Sequence, residues 1–180
     1  MKNITLAIAA ALVLSSATAY AQTTGWPQAA ASPTAAGTPD PVTTGYQLYQ
    51  QANYAGAVAL FQQAVQDKPN DALAKVWLGL AQVAAGEVKA GIFTLKFATD
   101  SIGAWSAQAA ELRALAYWQQ GEIDPAKSEL GFCMDGPTAS LCTKMKQGID
   151  AGQQPPDVST WPSIVGLTAA AQARGTTWSP

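Results

Sequence analysis

The sequence has 180 residues, with ten Lys and Arg, twelve Asp and Glu, and no histidine. Charged residues are only 12% of it, so solvation falls to Gln, Ser and Thr. Acidic balance and scattered lysines argue against nucleic acid, which needs a basic stripe; Lys144 and Lys146 form the one close basic pair. The lack of histidine removes histidine general bases, Ser–His and Cys–His pairs, and most zinc sites.

In chain order, MKNITLAIAAALVLSSATAYAQ opens with Lys2, runs apolar to about Leu14, and ends Ala19-Tyr20-Ala21. This is the pattern of a secretory signal peptide over residues 1–21, cleaved after Ala21, with an apolar run too short for comfortable membrane spanning. Without Lys2, nine Lys and Arg face twelve Asp and Glu, a net charge of −3 for the mature chain. No cysteine sits at the cleavage point to carry a lipid. An exported chain without a further apolar run implies no membrane insertion after cleavage, in the periplasm or outside the cell. Residues 22–41 are rich in Pro, Ala, Thr and Gly without periodicity and read as a disordered linker, with Trp26 isolated in it.

From Thr43 to about Gln153 the apolar and alanine positions recur at helical spacing. Breakers at Asn53, Pro69-Asn70-Asp71, Gly86, Gly103, Gly121 and Gly136-Pro137 cut this region into short helices. The spacing predicts helices over about 43–52, 54–67, 71–85, 88–100, 104–120, 124–134 and 138–151. Asp71 is placed to cap the third, and Asp124-Pro125 reads as an acidic N-cap followed by proline at the first helical position. No stretch alternates as a half-buried strand does.

The helices repeat. Ala57, Gly91 and Ala126 lie 34 and then 35 residues apart, and Phe61, Leu95 and Leu130 keep the spacing. So do Ala64, Ala98 and Cys133, then Gly45, Gly79 and Ala114, and the turn residues Ala52, Gly86 and Gly121. A period near 34 in helix pairs, with the small–large–small–Pro order of Ala57, Phe61, Ala64 and Pro69, resembles the tetratricopeptide repeat. The resemblance covers about residues 42–135. The second repeat carries Trp77, Leu78 and Gly79 in a compressed form of the family's opening and Gly91 where alanine is usual; the third lacks the closing proline.

The resemblance implies an all-α fold: a right-handed superhelical solenoid of about three helix hairpins over residues 42–153, including a C-terminal capping helix. Leu141, Met145 and Ile149 form the apolar stripe of that cap. Cys133 and Cys142 are read as a structural disulfide joining the cap to the last repeat, a short closure with roughly 2–3 kcal/mol of stabilisation. A redox pair is the other reading, but C-x-x-C spacing beside a βαβ pattern is missing.

The resemblance also implies a concave groove, lined by the first helix of each pair, that binds a protein or peptide segment. Its candidate residues here are Tyr46, Tyr49, Gln50, Val76, Leu80, Val83, Glu111, Leu115, Trp118 and Gln119. The lysine and asparagine clamp that some members use for acidic C-termini is replaced by Val42 and Tyr46, which favours an apolar or extended ligand. No catalytic, cofactor-binding or metal-ligating residues are assigned. DKPND at 67–71 is an inter-repeat turn without the glycine and glutamate of a calcium loop, and Glu122 and Asp124 sit at a helix start.

Residues 154–180 hold Pro155-Pro156, then Trp161, Ile164, Val165, Leu167 and Trp178, too apolar for a solvated tail, with a short helix in SIVGLTAAAQAR. Two expectations follow. The chain is a non-catalytic adaptor in the bacterial cell envelope that docks a partner in its groove, or it is a structural exported protein whose own tail occupies that groove.

Overall fold

A computed structural model of the chain describes residues 39–101, 105–134 and 138–176. The signal-peptide pattern, most of the linker, Trp26, Gly103, Gly136-Pro137 and Trp178 lie outside those residues. The described residues form helices α1 (Pro41–Gln50), α2 (Tyr54–Asp67), α3 (Ala72–Ala84), α4 (Val88–Ser101), α5 (Ser106–Gln119), α6 (Ile123–Gly131), α7 (Ala139–Asp150), α8 (Trp161–Ile164) and α9 (Leu167–Thr176). A single 3-10 turn, Val158–Thr160, precedes α8, and no strand occurs among the described residues. The fold is all-α.

Local chemistry sets the boundaries. Asp40 and Pro41 give α1 an acidic cap and a proline in its first turn, with Asp40 Oδ2 accepting from the Thr43 amide at 3.1 Å. The helix thus begins two residues before the expected start, inside the stretch read as linker. Asn53 and Asp71 cap α2 and α3, accepting from the Gly56 and Ala74 amides at 3.1 and 3.0 Å. The expected Asp124 cap is corrected: α6 starts at Ile123 with Glu122 at the cap position. Asp124 and Pro125 then lie within the first turn, where an amide is unpaired anyway and proline does no harm.

Each hairpin turn closes in the same way. Ala52, Gly86 and Gly121 adopt φ of 57°, 88° and 75°, the left-handed conformation that ends a helix. The next amide then bonds five residues back: Asn53 to Leu48 O at 2.9 Å, Glu87 to Gln82 O at 2.8 Å, Glu122 to Tyr117 O at 2.9 Å. The repeat seen in the sequence is therefore a repeat of backbone geometry. Gly152 and Gln153 end α7 identically, with Gln153 bonding Gly148 O at 2.9 Å.

The pairs α1–α2, α3–α4 and α5–α6 pack within themselves, α2 meets α3, and α4 meets α5. The odd helices also touch, α1 with α3 and α3 with α5, and α7 packs on α6. Small residues set the approach distances. A Cβ at Gly45 would lie 2.7 Å from the Phe61 ring, and one at Gly79 would lie 2.6 Å from Leu95 Cγ. Phe61, Leu95 and Leu130, the large residues of the repeat, are all fully buried.

Gly91 decides between two opposing effects. Alanine there would gain about 1 kcal/mol of helix propensity. Its Cβ would also stand 2.6 Å from the Gly79 carbonyl oxygen and 2.5 Å from Val83 Cγ2. Backbone cannot rotate away as a side chain can, so packing strain outweighs propensity. Gly91→Ala is expected to destabilise the protein by about 1–3 kcal/mol in denaturant unfolding.

Candidate functional site

Helices α1, α3 and α5 carry all ten candidate groove residues. Tyr46, Tyr49, Val76, Leu80, Val83, Glu111, Leu115 and Trp118 are buried there; Gln50 and Gln119 are exposed. Much of this burial is ordinary core. Tyr46 and Tyr49 pack on Trp77, with ring centroids 5.2 and 5.9 Å apart, and Val76, Leu80 and Leu115 are fully covered. Gln50 is spent on its own helix, donating from Nε2 to Tyr46 Oη at 2.8 Å.

The chain's own C-terminal segment packs on α1. Tyr49 Oη donates to the Val158 carbonyl at 2.7 Å, across 109 residues of sequence. Val158 also lines an open cavity of 610 Å³ together with Val83 at the end of α3, Gly86 to Ala90 at the start of α4, and Gln119 and Gln120 at the end of α5. Tyr49, Val83 and Trp118 are repeat equivalents, 34 and 35 residues apart. Beyond the turn, Trp161 is fully buried, its indole donating to the Pro156 carbonyl at 3.0 Å. Leu167 and Ala171 of α9 are fully buried too, and α9 packs on α1. The expected short tail helix is broken in two at Gly166, φ 74°.

Electrostatics at this contact favour a neutral phenol. Burial holds the Tyr49 hydroxyl well above the usual tyrosine range, and Tyr54 and Asp157 add to the effect. Asp157 is pinned as a carboxylate by the Ser159 hydroxyl and amide, at 2.5 and 2.9 Å, and its own pKa is lowered.

Glu111, expected on the groove, is instead enclosed between α5 and the bridge. Cys133 and Cys142 form a disulfide with Cα atoms 6.2 Å apart. Glu111 is fully buried, Oε1 lies 3.5 Å from Cys142 Sγ, and Oε2 has no hydrogen-bond partner. Carboxylate and sulfurs fall within 4.8 Å of one another, a metal-like donor set, but both sulfurs are occupied by the bridge. Nothing in the sequence linked Glu111 to cysteines 22 and 31 residues later.

Burial pushes the Glu111 carboxyl up from 4.5 to about 7, while a hydrogen bond with Thr138 works in the opposite direction. A carboxyl whose folded value is raised binds its proton more tightly in the folded state. Its stability contribution is therefore full below pH 4.5 and is lost as pH rises to about 7. The loss is on the order of 3 kcal/mol, read from urea unfolding at pH 4.5 and 8. Glu111→Gln should flatten that slope and unfold at higher urea than wild type at pH 8. Asp150, held down to about 2 by Lys127 first and Lys146 second, acts only in the more acidic range.

Comparison with known proteins gives no match: no protein-family model, no curated protein and no solved structure corresponds significantly to the chain. Among the described residues no helix is long and apolar enough to cross a membrane.

Proposed function

We propose that the chain is an exported, non-catalytic helical-repeat protein of tetratricopeptide type, whose partner-binding face is filled by its own C-terminal segment. The observation that carries this reading is the Tyr49–Val158 bond beside a fully buried Trp161. The recurring 34- and 35-residue caps and the packing of alternate helices support a right-handed superhelical solenoid, with α7 as its cap. The leader pattern and the disulfide support export to the periplasm or beyond. The absence of histidine supports a non-catalytic role. A protein or peptide partner on this face has to displace residues 158–171 first.

The test is a crosslinking pull-down from the cell envelope with three chains: wild type, Trp161→Asp, and Tyr49→Ala/Trp118→Ala. The self-filled reading expects capture by Trp161→Asp and little by wild type. Strong capture by wild type, lost in the double variant, would replace it with an adaptor whose groove is open.

A further inference from the structure

A buried carboxyl with one oxygen unpartnered is costly, and here it faces a disulfide. The bridge gives Glu111 nothing, because neither sulfur carries a proton. Reduction would change that. It creates two S–H donors, one of them at Cys142, 3.5 Å from Glu111 Oε1. The Thr138 hydroxyl lies on the same sulfur at 4.0 Å, whereas Cys133 Sγ is 3.2 Å from the Leu130 carbonyl oxygen, which cannot supply a proton. The two sulfurs are thus unequal: Cys142 has a proton source and Cys133 does not.

We infer that Cys133 and Cys142 are a reversible thiol–disulfide couple reduced by dithiols, with Glu111 as the acid that protonates Cys142 as it leaves. The reductant's thiolate attacks Cys133 Sγ and forms a mixed disulfide. The Cys133–Cys142 bond breaks, its electron pair goes to Cys142 Sγ, and the Glu111 proton follows it. The reductant's second thiol, deprotonated to solvent, then displaces Cys133, which takes up a proton from water. Net, the protein gains two electrons and one proton, because Cys142 takes its proton from Glu111, which is left as a carboxylate, and the dithiol becomes a disulfide. Both sulfurs are buried, so attack follows local opening of the turn after α6, residues 132–134, where Met134 beside Cys133 is already exposed. The bridge still ties α6 to α7; the couple makes that tie breakable.

The titration that matters is that of Glu111 alone. Burial is the main cause of its raised value, and the Thr138 hydrogen bond works against it. On α5 and α6, Arg113 pairs with Glu129, while Lys127 and Lys146 of α6 and α7 pair with Asp150. Below about pH 7 Glu111 holds its proton and is ready to donate.

The experiment reduces full-length protein with dithiothreitol from pH 5 to 9, in the range where rate is linear in reductant, and divides the rate by thiolate concentration. For wild type this normalised rate should fall as pH rises through about 7. For Glu111→Gln it should be flat and, below that pH, about 100-fold slower. Equal profiles for the two chains would overturn the assignment. A second readout needs no variant. The infrared difference spectrum of wild type between its oxidised and reduced forms near pH 6 should show a protonated-carboxyl band lost on reduction, as Glu111 comes to accept from Cys142 S–H. A spectrum without a carboxyl change would overturn it equally, whether or not Glu111→Gln folds.

Discussion

Trp161→Ala lowers the unfolding free energy by about 3–5 kcal/mol. That is the cost of emptying a fully buried aromatic site, and it falls on a residue eleven positions beyond the last residue of the capping helix. If the tail were a solvated appendage, the substitution would lie within about 0.5 kcal/mol of neutral. Deleting residues 155–180 should cost at least as much, because it also uncovers Tyr49 and leaves its buried hydroxyl without the Val158 carbonyl. Against a total of about 5–15 kcal/mol for an ordinary domain, either change removes a large share. Urea unfolding of the two variants and wild type checks both, and the slope with denaturant should fall in the deletion because less surface is hidden.

Trp77→Ala should be comparably severe, about 3–5 kcal/mol. Trp77 is the point where the first hairpin meets the second: its ring stacks on Phe61 at 5.6 Å and lies against Tyr46 and Tyr49. Removing it leaves three aromatic rings of α1 and α2 without a common partner, and Tyr49 is the same residue that holds the tail. The two losses are thus coupled. A double variant Trp77→Ala/Trp161→Ala is expected to depart from additivity by more than about 0.5 kcal/mol. Trp77→Phe should be milder, because the indole nitrogen has no hydrogen-bond partner to lose.

The helices were legible because their punctuation is local. Asn53, Asp71, Gly86 and Gly121 act within one or two turns, so a linear reading places α2 to α4 almost to the residue. Asp124-Pro125 misled by two positions because proline is tolerated anywhere in a first turn, and Glu122 lies at the earlier site. The tail was legible only as a demand. Trp161 and Leu167 announce that something must cover them, but apolar side chains carry no address. The contact with α1 is fixed by shape and by the Tyr49–Val158 hydrogen bond, neither of which has a period. Glu111 was placed on the right helix and the wrong surroundings: helical phase puts it on the face of α5 that approaches α7, and the phase alone cannot say that a disulfide closes over it.

The most direct test of the self-filled face is to introduce a protease site at residues 153–154, cut the folded chain, and run the product on a native sizing column. The account predicts that the cut segment, held by Tyr49, by α1 and by its own buried Trp161, stays with the body and leaves only in denaturant. Free elution of the segment under native conditions, with the helical body intact, would contradict it.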